Sequence, residues 1–522
     1  MKSGTASEAS ELHFRILPLP DALRSSTAKE NARSARLAGI FESAVSCASV
    51  AASVCLLVWV LLLCRHGIDF TDEGFYLNWI AAPQEYRASI SQFGFVYHRL
   101  YRLVGQDIVL LRQANVLILF FCAFLLSLTT LHTLRARRPE TGSSPPVRGV
   151  IAPRVRGRER RIGVFDLWLP TPNYNSLAFT SLMITSIGVL LSARASPRWS
   201  LGGWVVIGVG GALAFLAKPP SAALLGCLVL AYTIVIGRFS IRGLLASGLT
   251  AVLILVFAML ALDGSPTAFV ARYTRGLELG TALVTGQPVE HMFRLDLFTL
   301  SQEQRENFSR LLVLAFVMIV FTTSASPALR IASAVIAAVA SAVTVCVSLG
   351  WINLGISYEP FQPLLFCAIL FATAIAALVF SPWRRALLSR DVVATTVFFV
   401  VLPYVYAFGT GNNYWQQGAR AGFFWLLAAV VLKSAPVARE GDSRPATPYS
   451  NSCGGSACND RGPLCNSATS VSPDRTAADA GYGNRIRQPR SKAPAEFGDG
   501  VLCPTSQDHR GRERICPWQP RD

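Results

Sequence analysis

Hydrophobic positions along this chain come in long blocks. Apolar segments fall near 46–64, 108–134, 164–192, 201–217, 221–237, 243–262, 311–325, 331–349, 363–380, 391–408 and 421–433. Most run uncharged for roughly 17–25 residues, the length of helix that crosses ~30 Å of hydrocarbon. Several contain Gly or Pro, as membrane spans often do. The pattern predicts an all-α polytopic membrane protein with about eleven transmembrane helices, within bounds of roughly ten and thirteen. Two polar stretches between spans, 65–107 and 263–310, are long enough to hold structure. Residues 1–45 read as a cytosolic segment, 46–433 as the membrane domain, and 434–522 as a low-complexity tail of Arg, Ser, Pro and Gly.

Composition agrees. Of 522 residues, 52% are hydrophobic and 15% charged, where a soluble domain carries about a quarter charged. The mean hydropathy of +0.41 excludes a disordered chain and argues against a soluble enzyme. A net charge of +17 would suggest nucleic acid as the partner of a soluble protein. Here the charge sits in loops and tail, so the partner it implies is the anionic surface of a lipid bilayer, and no nucleic acid. Only Lys2, Lys29, Lys218, Lys433 and Lys492 are lysines among 48 basic residues; this arginine bias suggests a GC-rich, bacterial genome and a bacterial cytoplasmic membrane. The 12 cysteines have neither disulfide nor zinc-finger spacing.

Lys/Arg in short loops set the expected orientation. Lys2, Arg15, Arg24, Lys29, Arg33 and Arg36 place the N-terminus inside, so 65–107 lies outside. Arg194 and Arg198, Arg238 and Arg242, and Arg384, Arg385 and Arg390 mark further inner loops, putting 263–310, 350–362 and 409–420 outside. The stretch 135–161, with nine arginines, is also inner. Yet 162–192 is too short for two full crossings, so a half-span or a lost crossing is expected there. Both 135–161 and the tail read either as natural disordered segments or as GC-rich DNA translated out of frame.

The chemistry gathers in the outer segments. The first reads Gly67-Ile68-Asp69-Phe70-Thr71-Asp72-Glu73-Gly74-Phe75-Tyr76. Carboxylates clustered beside a span are costly unless exposed or used. Such a cluster can hold a divalent cation, the one cofactor the sequence leaves open, or deprotonate an acceptor hydroxyl; it can also be a solvated turn with Asp72 as helix N-cap. Lys218, before Pro219 and Pro220 at an outer interface, could pair with a phosphate or snorkel. Arg272, Arg275, His291 and Arg294 in the second outer loop are further phosphate candidates. The last outer loop offers Asn412, Asn413, Tyr414, Trp415, Gln416 and Gln417, where amides suit hydroxyls and flat rings suit a sugar face. Tyr97-His98-Arg99 and Tyr101-Arg102 read as interface anchors.

An Asp72-Glu73 pair just after the first span, followed by Gly-Phe-Tyr, resembles the GT-C superfamily of membrane glycosyltransferases, in particular the protein O-mannosyltransferase and aminoarabinose-transferase type. Leu111-Arg112-Gln113-Ala114-Asn115, Leu169-Pro170-Thr171-Pro172-Asn173-Tyr174-Asn175-Ser176 and Ala217-Lys218-Pro219-Pro220 fit the same pattern, over roughly 45–433. The resemblance implies a GT-C-like fold and inverting transfer of a sugar from a polyprenyl-phosphate donor to a lipid, glycan or protein hydroxyl on the outer face. It makes Asp72 the base and Glu73 its neighbour, orienting the acceptor or holding a metal. Lys218, Arg272 and Arg275 would then bind donor phosphate, and Asp69, Tyr76, Asn173, Tyr174, Asn175, Asn412, Asn413, Tyr414 and Trp415 the sugar or acceptor. It further implies a span before Asn173, which 135–161 interrupts. A transporter or flippase, and a polysaccharide polymerase or ligase, are the competing functions; the first would place ionisable groups near mid-membrane and often show repeats.

Overall fold

A computed structural model describes residues 21–67, 72–136, 170–194, 196–282, 300–324, 326–352, 358–380, 389–409 and 414–434. Asp69, Asn412, Asn413, His291, Arg294, nearly all of 135–161 and the tail beyond Ser434 lie outside the described residues. Among those described, the chain is helical: α1 (Asp21–Leu63), α2 (Glu73–Ala81), α3 (Phe93–Leu103), α4 (Ile108–Ala136), α5 (Tyr174–Ser192), α6 (Pro197–Ala217), α7 (Pro219–Val235), α8 (Ile241–Asp263), α9 (Pro266–Ala282), α10 (Gln302–Thr323), α11 (Pro327–Ser348), α12 (Tyr358–Val379), α13 (Arg390–Ala407), α14 (Tyr414–Ala419) and α15 (Phe423–Ser434).

Each apolar block of the sequence overlaps one of these helices, with 164–169 outside the described residues. Eight are long and apolar enough to cross a membrane, and Pro219–Val235, Leu364–Val379 and Phe423–Ser434 are shorter apolar helices. The protein is thus a helical membrane protein. Many leucines, valines and phenylalanines of α1, α4 and α8 are exposed, Phe257 and Leu249 among them, as expected where lipid is the solvent.

Local chemistry sets the helix ends. Asn173 caps α5, its side chain accepting from the amides of Asn175 and Ser176, while the Ser176 side chain returns to the Asn173 amide. Proline occupies the first turn of α6, α7 and α11, where its missing N–H costs nothing. Glycine sets the closest packing: a β-carbon at Gly188 of α5 would stand 2.7 Å from the Gly203 carbonyl of α6.

Side-chain contacts fix the relative directions of the helices. Asn115, early in α4, donates to the Pro170 carbonyl just before α5, at 2.9 Å. At their other ends His132 of α4 meets Arg194 beyond α5, at 3.3 Å. The two helices therefore run parallel, and the connection between them joins opposite ends of the bundle. α6 returns antiparallel to α5, with Ser200 bonded to the Ser192 carbonyl at 3.0 Å. α7 and α13 are antiparallel as well, through Ser221 to Phe408 (3.0 Å) and Tyr232 with Thr395 (3.1 Å).

Residues 170–176 consequently share one end of the bundle with α2, Lys218 and the end of α13. Arg135, Arg194, Arg198, Arg238, Arg242 and Arg390 belong to the other end. This is the arrangement that alternation from the later loops requires. Cysteines introduced at the exposed positions Arg198 and Arg242 are expected to react with an impermeant thiol reagent from one side of sealed vesicles. A cysteine at exposed Gln106 should react from the other. Labelling of all three from a single side would contradict the parallel pairing of α4 and α5.

Candidate functional site

At the end of the bundle that carries 170–176, the four motifs singled out in the sequence meet. The first contact is electrostatic. Arg112, one turn into α4, is buried, and its guanidinium reaches Glu73 Oε1 with Nη2 at 2.6 Å and Nε at 2.8 Å. Nε also lies 3.1 Å from Thr171 Oγ1, while Nη1 and Nη2 donate to the carbonyls of Cys64 and Gly67, each at 3.0 Å. Thr171 in turn donates to Glu73 Oε1. One side chain thereby joins the end of α1, the start of α2, the start of α4 and the entry to α5.

Glu73, expected beside Asp72 to orient an acceptor or hold a metal, is buried and held through Oε1 in this network. Successive helical residues point about 100° apart, so Asp72 and Glu73 diverge. Asp72 occupies the N-cap position of α2 but makes no side-chain capping bond. Its Oδ2 accepts from the Tyr76 hydroxyl at 3.2 Å. Among the described residues no three His, Cys, Asp or Glu side chains gather as a metal site.

Tyr76 leads to the motif that holds Tyr174. Its buried ring meets Tyr174 edge-on at 5.9 Å and Phe93 at 5.5 Å. Burial raises the Tyr76 hydroxyl's pKa, and Tyr174 and Asp72 raise it further, so it stays a protonated donor. Tyr174 also faces the motif that holds Lys218. The Lys218 ammonium lies 5.2 Å from its ring centre and 4.6 Å from that of Tyr406, with the Tyr406 carbonyl at 3.4 Å.

Lys218 sits in the turn between α6 and α7, outside both helices, where the Pro-Pro that follows allows no further helical bond backward. It is buried, and among the described residues no carboxylate pairs with it. Burial, with a smaller contribution from the nearby Arg420 charge, pushes its pKa down to about 7. Lys218, between two tyrosine rings and near the Arg420 charge, closes the row Asp72, Tyr76, Tyr174, Lys218.

Other expected residues take different places. Arg272 is buried, holding Asp263 with Nε at 2.9 Å and Nη2 at 2.6 Å and donating to the carbonyls of Pro83 and Tyr86; it fastens 82–92 to α9 rather than facing Lys218. Arg275 is exposed. Asn173 is spent on the cap of α5, and Asn175 is buried with its side-chain oxygen unpartnered among the described residues. Tyr414 is fully buried beside Tyr404, and Trp415 stacks on Trp425 at 5.7 Å. Tyr97 is no surface anchor: it is buried against Ser176 at 3.3 Å.

Arg112, Thr171, Tyr406 and Arg420 were not assigned roles from sequence. Arg112 had a signal: an arginine inside an apolar span is expensive unless paired. Arg112→Ala, which strands Glu73 without its cation, is expected to destabilise by about 3–5 kcal/mol, read as early loss of monodisperse protein on heating in detergent. Arg275→Ala should leave that profile unchanged. Comparison of this chain with known protein families, with curated proteins and with solved structures finds no match.

Proposed function

We propose that this chain is an integral membrane glycosyltransferase of the GT-C type, moving a sugar from a polyprenyl-phosphate donor to a hydroxyl acceptor outside the cytoplasm. In this reading the eleven apolar helices all cross the membrane. The end with Arg194, Arg198, Arg238, Arg242 and Arg390 in its short loops faces the cytosol, as the positive-inside rule asks of such loops. The observation that carries the reading is the row at the opposite end: a carboxylate, Asp72, and a buried cation, Lys218, separated by Tyr76 and Tyr174.

That row matches the charge movements of an inverting displacement. The acceptor oxygen attacks the anomeric carbon, its proton passes to Asp72, and the bond from that carbon to the phosphate oxygen breaks. Negative charge thus leaves Asp72 and grows on the departing polyprenyl phosphate. Lys218 and Arg420 stand where that charge would collect, and a preorganised cation in a dry site stabilises such a leaving group strongly. Glu73 and Arg112 keep the frame. The ionisable groups of the row lie at helix ends, which favours this reading over a transporter with a mid-membrane site.

Asp72→Asn is expected to lower sugar transfer in membranes by at least about 100-fold, with insertion and monodispersity intact. Full activity in that variant would sink the reading. Lys218 carries its proton below pH about 7 and loses it above, so kcat/KM for the donor should fall by up to about tenfold per pH unit on the alkaline side. In Lys218→Arg, whose charge persists, that fall should disappear.

A further inference from the structure

Asp72 has the right place for an N-cap but does not use it, so the helix backbone does not aim its carboxylate. The group that touches it is the Tyr76 hydroxyl, one turn on, at 3.2 Å. Residues four apart on a helix lie on one face, so this contact is built into α2 itself. The tyrosine has little freedom. Its ring is buried, perpendicular to Phe93 at 89° and to Tyr174 at 79°. Phe93 belongs to α3 and Tyr174 to α5, so two further elements fix the direction in which the hydroxyl points.

The ionisable groups around this pair are few among the described residues. Asp72 and the Glu73–Arg112 ion pair stand on its own side. Tyr174 faces it from α5, and Lys218 lies on the far side of the Tyr174 ring. A hydroxyl has one proton to give. While Asp72 is ionised, that proton is best placed on Oδ2, which leaves Oδ1 to receive a proton from elsewhere.

We propose that Tyr76 is the positioning residue for Asp72: its hydroxyl fixes Oδ2 so that Oδ1 meets the acceptor hydroxyl, with Tyr174 holding Tyr76 against the side of the site where Lys218 lies. This assigns Tyr76 to the carboxylate rather than to the sugar, and it rests on the transferase reading above. No atom is transferred through Tyr76. The acceptor's proton goes to Asp72 Oδ1, and the tyrosine holds the geometry while it does.

The test is Tyr76→Phe, which keeps the packed ring and removes only the O–H. Misaiming a reacting group costs about 10- to 100-fold, so kcat should fall by that factor while the donor KM stays within about twofold. A normal kcat, or a raised KM with kcat unchanged, overturns the proposal. Should Tyr76→Phe fail to fold, 3-fluorotyrosine at position 76, a better donor of nearly the same size, serves instead; it should change kcat and not the donor KM, and an unchanged kcat overturns the proposal. Asp72→Asn separates the two levels. If it is inactive while Tyr76→Phe is fully active, the positioning role alone fails; if Asp72→Asn is itself active, the transferase reading fails.

Discussion

The Glu73–Arg112 pair is the constraint on which the candidate site depends. Both side chains are almost fully buried, and an unpaired charge in that position would cost several kcal/mol. Pairing alone would not offset desolvation, because a guanidinium has five N–H donors to satisfy. The carbonyls of Cys64 and Gly67 and the Thr171 hydroxyl supply further acceptors. With Glu73 itself, those acceptors come from three stretches of chain, 64–67, 73 and 171, so satisfying one arginine forces α1, α2, α4 and α5 to converge. Asp72 is positioned as a consequence: it is the residue just before the one that Arg112 holds.

The same contact settles the sense of the bundle. Arg112 and Asn115 can reach Thr171 and Pro170 only if α4 and α5 start at the same end. With that pairing, Arg194, Arg198, Arg238, Arg242 and Arg390 fall at the end opposite Asp72. The arithmetic that fails when helices are counted along 135–192 succeeds when they are placed in space, because a parallel neighbour needs a return of chain between the two. Simple alternation breaks down at one connection, the one between α4 and α5.

Much of the fold was legible in the sequence because lipid imposes a crude rule. A helix whose backbone must bond internally, in apolar surroundings, needs a long uncharged run, and such runs are visible without any knowledge of partners. Asp72, Tyr174 and Lys218 were legible as candidates for a related reason: polar groups beside spans stand out. Their division of labour was not. Asp72 and Glu73 are neighbours with the same chemistry, and only the turn of the helix sends one to Tyr76 and the other to Arg112. Arg272 looked like a phosphate ligand, since its partner Asp263 lies in another helix beyond the left-handed turn at Gly264. Arg420 joins Lys218 across some 200 residues of chain, a proximity that no periodicity encodes.

Lys218 completes the argument because its surroundings are poorly suited to an empty cation. It lies between two tyrosine faces, beside one carbonyl and near a second positive charge. Cation–π contacts are worth about 2 kcal/mol when desolvated, less than the cost of taking an ammonium out of water. Proteins that need a lysine for structure give it a carboxylate, as this one gives Asp263 to Arg272. A lysine packed instead among rings and beside an arginine is stable in its charged form chiefly when an anion arrives. In the proposed transfer the imbalance at Lys218 and the negative charge at Asp72 belong together: the charge neutralised at one end of the row would reappear at the other.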